Sequence, residues 1–151
     1  MGKCVCIGEI LADFIAKRDD TAPKSAGLFE CKAGGAPANT AACISRLGGH
    51  SLMASQVGED FLGVFLLKEL AESGVDTTFI ATTNEARTGH SLVFLDEEGN
   101  REFVFYRDNC ADLLLNGDQL SKLRFDRRDI LHFCSIDLVP SPMKDTHMKL
   151  I

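Results

Sequence analysis

Short apolar runs alternating with glycine-ended amphipathic segments constrain this chain more than any other feature. Lys3–Ile7 is apolar, rich in small and branched residues, and closed by Gly8, the pattern of a short buried strand. Pro37–Leu47 predicts a helix. Proline is tolerated in a first helical turn, where its missing N–H would be unpaired anyway, and Gly48 suits the C-terminal cap. "SLMASQVG" (51–58) reads as the next strand. Phe61–Ser73 is the next helix, with Leu62, Phe65, Leu66, Leu67 and Leu70 apolar and Gly74 to end it. "TTFIA" (77–81) follows as a strand. Strands and helices in this alternation mean an α/β fold with a mostly parallel sheet.

The rhythm then changes. "GHSLVFLDEEGNREFVFYR" (89–107) predicts two extended segments around a turn at 96–100, an antiparallel hairpin set into the α/β pattern. "EILADFIA" (9–16) continues the first strand in extended fashion with Asp13 among apolar neighbours, and residues 18–27 carry turn chemistry. "DILHFCS" (129–135) returns to a buried strand, and Pro140–Ser141–Pro142 opens a helix inside which the sequence stops at Ile151. A parallel sheet needs both faces covered, so the expectation is a sheet that is only partly supplied by these residues.

Composition narrows the function classes. The 151 residues are 45% hydrophobic and 25% charged, ordinary values for one globular domain. The net charge of −6, without a Lys/Arg run, argues against nucleic acid or an anionic membrane as the main partner, though not against a nucleotide. Cysteines 4, 6, 31, 43, 110 and 134 form no C-x-x-C and no zinc spacing with the four histidines. Their apolar settings predict reduced core residues and no metal. Glu9 and Asp13 interrupt the apolar N-terminus and no basic leader precedes it, so neither a signal peptide nor a membrane span is expected. The expected location is cytoplasmic.

"KAGGAPANTAACISRLGG" (32–49) is the stretch with chemical content. A Gly-Gly turn ahead of a helix leaves N–H groups free and lets a ligand approach bare backbone. A phosphate cradle would need G-x-x-x-x-G-K-[ST] or G-x-G-x-x-G, and neither is present. A neutral polyol fits better: Asn39 both donates and accepts, and Asp13 accepts from vicinal hydroxyls. The structural alternative, a tight turn with Asn39 bonded locally and Asp13 capping or solvated, stays open on spacing alone.

The same stretch closely resembles the N-terminal signature of the ribokinase/PfkB sugar-kinase family. "VGEDFLG" (57–63), "SGVDTTFI" (73–80), "TGHSLVFLDEEGNREF" (88–103) and "FYRDNCADLLL" (105–115) match that family in the same order, the last being similar to fructokinases in particular. The resemblance runs from Lys3 to Ile151 but corresponds to about the first half of the family's length. It implies a partial ribokinase-like, doubly wound α/β domain with a small β lid built from segments near 10–16, 28–33 and 90–106. It places Asp13, Gly34, Gly35 and Asn39 on the sugar hydroxyls, and Phe105 and Arg107 where related kinases close over substrate. By the period of two, Phe103, Phe105 and Arg107 share one face of the hairpin strand, with Val104 and Tyr106 on the other. For Phe105 the alternative is core packing; for Arg107 it is a surface ion pair with Asp108 or Asp112.

In this family the general base is the aspartate of a G-A-G-D motif at a helix N-terminus, whose free amides also bind phosphate. Neither Gly58–Glu59–Asp60 nor Asn116–Gly117–Asp118 is that motif, and the N-x-x-E element tied to magnesium is absent. The resemblance therefore implies an ATP- and Mg²⁺-dependent kinase acting on a primary hydroxyl of a free sugar, with these residues supplying no catalytic group, no nucleotide site and no turnover alone. The "FYR" strand favours a ketohexose; a 2-keto-3-deoxygluconate kinase or a nucleoside kinase are the alternatives within the family. A non-catalytic sugar-binding or self-associating fragment is the alternative of another class. A homodimer through the lid or the open sheet edge is expected, with Leu92, Phe94, Val104 and Tyr106 offering such a face.

Overall fold

A computed structural model describes residues 2–17, 28–95, 98 and 100–151. The turn chemistry at 18–27 and most of the turn at 96–100 lie outside these. Among the described residues the chain forms two four-stranded sheets. The first is wholly parallel, in the order β5-β4-β1-β8: β1 Cys4–Ile7, β4 Ser51–Gly58, β5 Asp76–Thr83 and β8 Ile130–Phe133. The second is mixed, in the order β3-β2-β6-β7: β2 Leu11–Ala16, β3 Phe29–Gly34, β6 His90–Leu95 and β7 Arg101–Tyr106. Helices α1 Ala36–Arg46, α2 Phe61–Glu72 and α3 Pro142–Leu150 complete the elements, with short 3₁₀ turns at Ala111–Leu114 and Ser135–Asp137.

Strand alternation sorts the parallel sheet's side chains onto two cores. Cys6, Met53 and Val57 meet Ala38 and Ala41 of α1 and Leu66 and Leu70 of α2 on one face. Val5, Ile7, Leu52 and Ala54 meet Leu115, Leu120, Leu123 and Met143 on the other. Each fully buried large apolar side chain stabilises by about 1.5–3 kcal/mol. All eight residues of β4 are buried, so its polar members need partners. Ser51 Oγ donates to the Ala41 carbonyl (2.7 Å), Ser55 Oγ to the Gly8 carbonyl (2.7 Å), and Gln119 Nε2 to Gln56 Oε1 (2.6 Å).

The "VGEDFLG" motif is explained by one side chain. Asp60 caps α2, Oδ1 accepting from the Gly63 amide at 2.9 Å, while Oδ2 accepts from the Thr88 amide at 2.9 Å just before β6. Burial raises the Asp60 pKa, but the amides of Thr88 and Gly63 and the Thr88 hydroxyl outweigh it and hold the carboxyl below its ordinary range. Asp60 is thus a junction between the two sheets, fully engaged in structure.

Three details differ from the sequence expectations. The extended run after β1 is not one strand: Gly8, at φ +142°, turns the chain so that β2 joins the other sheet. The six cysteines are all free thiols, but only Cys6 and Cys110 are buried, and Cys43 is exposed on the solvent side of α1. An apolar neighbourhood in sequence does not specify which face of a helix a residue occupies. Arg107 lies one residue beyond the end of β7.

Candidate functional site

The cavity of interest sits where the inner face of the mixed sheet meets the carboxyl ends of β1 and β8, the edge at which open α/β sheets bind ligands. It has a volume of about 260 Å³ and is lined by Asp13, Gly35, Asn39, Phe105 and Arg107 among others. Pockets for drug-sized ligands run to about 300–1,000 Å³, so this one suits a small molecule. A larger hollow of about 630 Å³ lies at the opposite, N-terminal edge of the parallel sheet, beside the Lys3–Asp129 ion pair. None of the residues singled out by sequence lines it.

Asp13 on β2 receives the Ser91 hydroxyl from β6 on Oδ1 at 2.5 Å. Gly34 is buried, and a Cβ there would lie 2.3 Å from Asp13 Oδ2, so the glycine makes room for the carboxylate. Gly35 has φ +101°, and a Cβ there would lie 2.5 Å from the Glu9 carbonyl oxygen; the turn into α1 closes only with glycine. Asn39, in the first turns of α1, is exposed, and its side-chain amide has no hydrogen bond among the described residues. Phe105 is 52% exposed and stacks on Phe103 at 5.6 Å between ring centroids, which is not core packing. Five of the six sequence-selected residues therefore share one cavity, with Gly34 backing it through Asp13.

Arg107 enters differently from the expectation. Its Nε donates to Asp112 Oδ2 at 2.7 Å and its Nη2 contacts both that oxygen, at 2.6 Å, and Asp137 Oδ1. The ion pair with Asp112 exists, but it is not a surface one: the side chains of Asp112 and Asp137 are 2% and 0% exposed. Burial alone would lower the Arg107 pKa; the two aspartates more than offset this and raise it. Burial likewise raises Asp112 above the ordinary carboxylate range against the pull of Arg107.

Sequence reasoning missed Glu9 and Asp137. Glu9 Oε1 accepts from the Ala36 amide at the start of α1 (2.8 Å), and the Glu9 amide donates to Asp137 Oδ2 (3.1 Å). Burial, together with the hydrogen bond and charge of Asp137, pushes the Glu9 pKa up to about 8. Glu9 comes two residues after the largely buried β1, and Asp137 ends the turn Ser135–Asp137 that follows the edge strand β8, whose residues are exposed or half-buried. A carboxylate just past a parallel strand was the available signal.

The fold is an α/β scaffold in which a parallel sheet carries a small mixed sheet, and comparison with known proteins gives its family. Residues 1–151 match the pfkB family of carbohydrate kinases, and the chain belongs to that family. It is 39% identical over 144 residues to "Probable fructokinase-6, chloroplastic" of Arabidopsis thaliana, a match covering 95% of this chain and 38% of that protein. The crystal structure of fructokinase from Xylella fastidiosa superposes with a TM-score of 0.86 at 34% identity, covering 99% of this chain and 47% of that one. Fructokinase from Vibrio cholerae in its fructose-, ADP- and calcium-bound form superposes at 0.82 with 29% identity, covering 99% and 46%. The chain thus spans less than half the length of these relatives.

Proposed function

We propose that these residues form the sugar-binding part of a fructokinase-like carbohydrate kinase, which transfers the γ-phosphate of ATP to a primary hydroxyl of a free ketohexose. The observation that carries this reading is the convergence of Asp13, Gly35, Asn39 and Phe105 on one small cavity at the carboxyl edge of the parallel sheet. An ionised carboxylate accepts from two adjacent hydroxyls, an amide donates and accepts, and an aromatic face covers the apolar side of a sugar. The Vibrio cholerae relative with bound fructose supports the substrate class. Against the 2-keto-3-deoxygluconate alternative, Arg107 has Nε and Nη2 committed to Asp112 and Asp137, which leaves no bidentate fork for a substrate carboxylate.

Among the described residues no group of three or more His, Cys, Asp or Glu is placed to hold a metal ion, and the sequence has no G-A-G-D or N-x-x-E. The reading assigns ATP and Mg²⁺ to the part of the relatives' length that this chain does not span, and the chain by itself is expected not to turn over. Among the described residues no helix is long and apolar enough to cross a membrane. The outer face of the mixed sheet carries Phe29, Val104 and Tyr106, each 37–49% exposed, and a second copy of the chain is its proposed occupant.

Calorimetric titration of fructose, with and without Mg-ATP, tests the reading. Fructose binding that ATP does not alter is the expected result. Absence of fructose binding at millimolar concentration, with the chain folded, would refute a self-sufficient sugar site.

A further inference from the structure

Glu9 lines the cavity but was not counted among its sugar contacts. It is 4% exposed, and its Oε2 is buried without a hydrogen-bond partner among the described residues. A buried carboxyl oxygen left bare costs about 1–3 kcal/mol, more if charged. Asp137, from the turn after β8, accepts from the Glu9 amide; Arg107 from the end of β7 and Asp13 from β2 line the same cavity, and Asp112 from the turn at 111–114 pairs with Arg107. The thiol of Cys134 lines the same cavity, and that of Cys110 lies beside Asp112. From α1 comes only the Ala36 amide, since its first turn has no acidic residue. Three of these carboxyls, on Glu9, Asp112 and Asp137, are at least 96% buried, and the guanidinium of Arg107 pairs with two of them, Asp112 and Asp137.

We propose that Glu9 is a positioning residue of this cavity: a proton on its Oε2, shared with Asp137, keeps Asp137 on Arg107 and Glu9 on the Ala36 amide. The lid and the glycine turn are thereby held together by one hydrogen-bonded chain, from Arg107 through Asp137 and Glu9 to the start of α1. The raised pKa of Glu9, about 8, is consistent with a carboxyl that keeps its proton at neutral pH. Losing that proton sets two buried carboxylates against each other, so Asp137 withdraws from Arg107 and β7 loosens. The proposal takes its ligand from the sugar reading above; the latch itself does not depend on that reading.

Two measurements on the 151-residue chain separate these. Hydrogen exchange of the amides of residues 101–107, corrected for intrinsic base catalysis, reports the latch; fructose titration in the same buffers reports the site. Between about pH 7 and 9.5 the wild type is expected to lose protection and fructose affinity by at least about tenfold. Glu9→Gln, which carries no titratable proton, is expected to be flat in both across this range. If Glu9→Gln does not fold, Asp137→Asn serves instead: removing the like-charge neighbour lowers the midpoint by about 1 pH unit or more. A wild-type exchange profile that is flat, a Glu9→Gln profile that follows the wild type, or an unmoved Asp137→Asn midpoint overturns the proposal. Lid protection that follows the Glu9 proton in a chain that binds no fructose would sustain the latch and refute the sugar reading.

Discussion

Replacing Arg107 with alanine tests whether the lid is anchored by a buried charge cluster or merely decorated by an ion pair. The guanidinium makes a two-point contact with Asp112 and a further one with Asp137, and its own side chain is 12% exposed. Removing it leaves two buried carboxylates, 2% and 0% exposed, without a cation. Breaking such a buried pair by deleting one partner costs about 3–5 kcal/mol; deleting one end of an exposed pair costs about 0–1 kcal/mol. For a chain of this size 1 kcal/mol moves Tm by roughly 2–4 °C, so Arg107→Ala is expected to lower Tm by about 6–20 °C. The assay is thermal and urea unfolding followed by circular dichroism. A control fixes the cause: Asp112→Asn and Asp137→Asn added to Arg107→Ala should recover part of the loss, because the stranded charges are gone. A loss below about 1 kcal/mol, or no recovery in the triple variant, would refute the argument that buried charge sets the energy here.

Gly34→Ala places a Cβ 2.3 Å from Asp13 Oδ2, so it should weaken fructose binding at least about tenfold by displacing the carboxylate, read by calorimetry. Asp13→Ala removes hydrogen bonds to a charged acceptor worth about 1.5–3 kcal/mol, an expected loss of about 10–150-fold in fructose affinity; it also strands the buried Ser91 hydroxyl, which should lower Tm by about 2–12 °C. Because the Glu9 pKa is raised from 4.5 to about 8, the folded chain keeps a proton that the unfolded chain has released between those values. Stability from this group is therefore fully present below pH 4.5 and lost as pH rises through about 8; Glu9→Gln should flatten that decline in urea midpoints. If the outer lid face joins two copies, Val104→Lys with Tyr106→Lys should convert a dimer to a monomer in sedimentation velocity. A wild type that sediments as a monomer would overturn the self-association reading.

Much of the fold was legible because local and global signals agree. Gly48 and Gly74, at φ +84° and +83°, end α1 and α2 as their positions in the sequence require. Period-two alternation put Phe103 and Phe105 on one face and Val104 and Tyr106 on the other, and the rings stack accordingly: Phe103 on Phe105, His90 on Tyr106. What escaped was long-range. Nothing local marks Gly8 as the point where the chain leaves one sheet for another, since that depends on β2 finding β6 nearly eighty residues later. The partners of Arg107 show the same limit: Asp112 is five residues away and was foreseen, Asp137 is thirty away and was not.

Charge patterning carries the least local information of all, and the site turns on it. Glu9 in an apolar run looks from sequence like an interruption, and served only as an argument against a membrane segment. In three dimensions the Ala36 amide at the start of α1 satisfies one oxygen of this carboxyl, while Asp137 accepts from the Glu9 backbone amide, each brought there by a different strand end. A buried carboxyl that folding takes the trouble to satisfy on one oxygen and leaves bare on the other has a reason to hold a proton. That reason can be found only once β1, β8, β7 and α1 converge, which is why a reading from residue types picked out Asp13, Gly35, Asn39, Phe105 and Arg107 of the cavity and not Glu9 and Asp137.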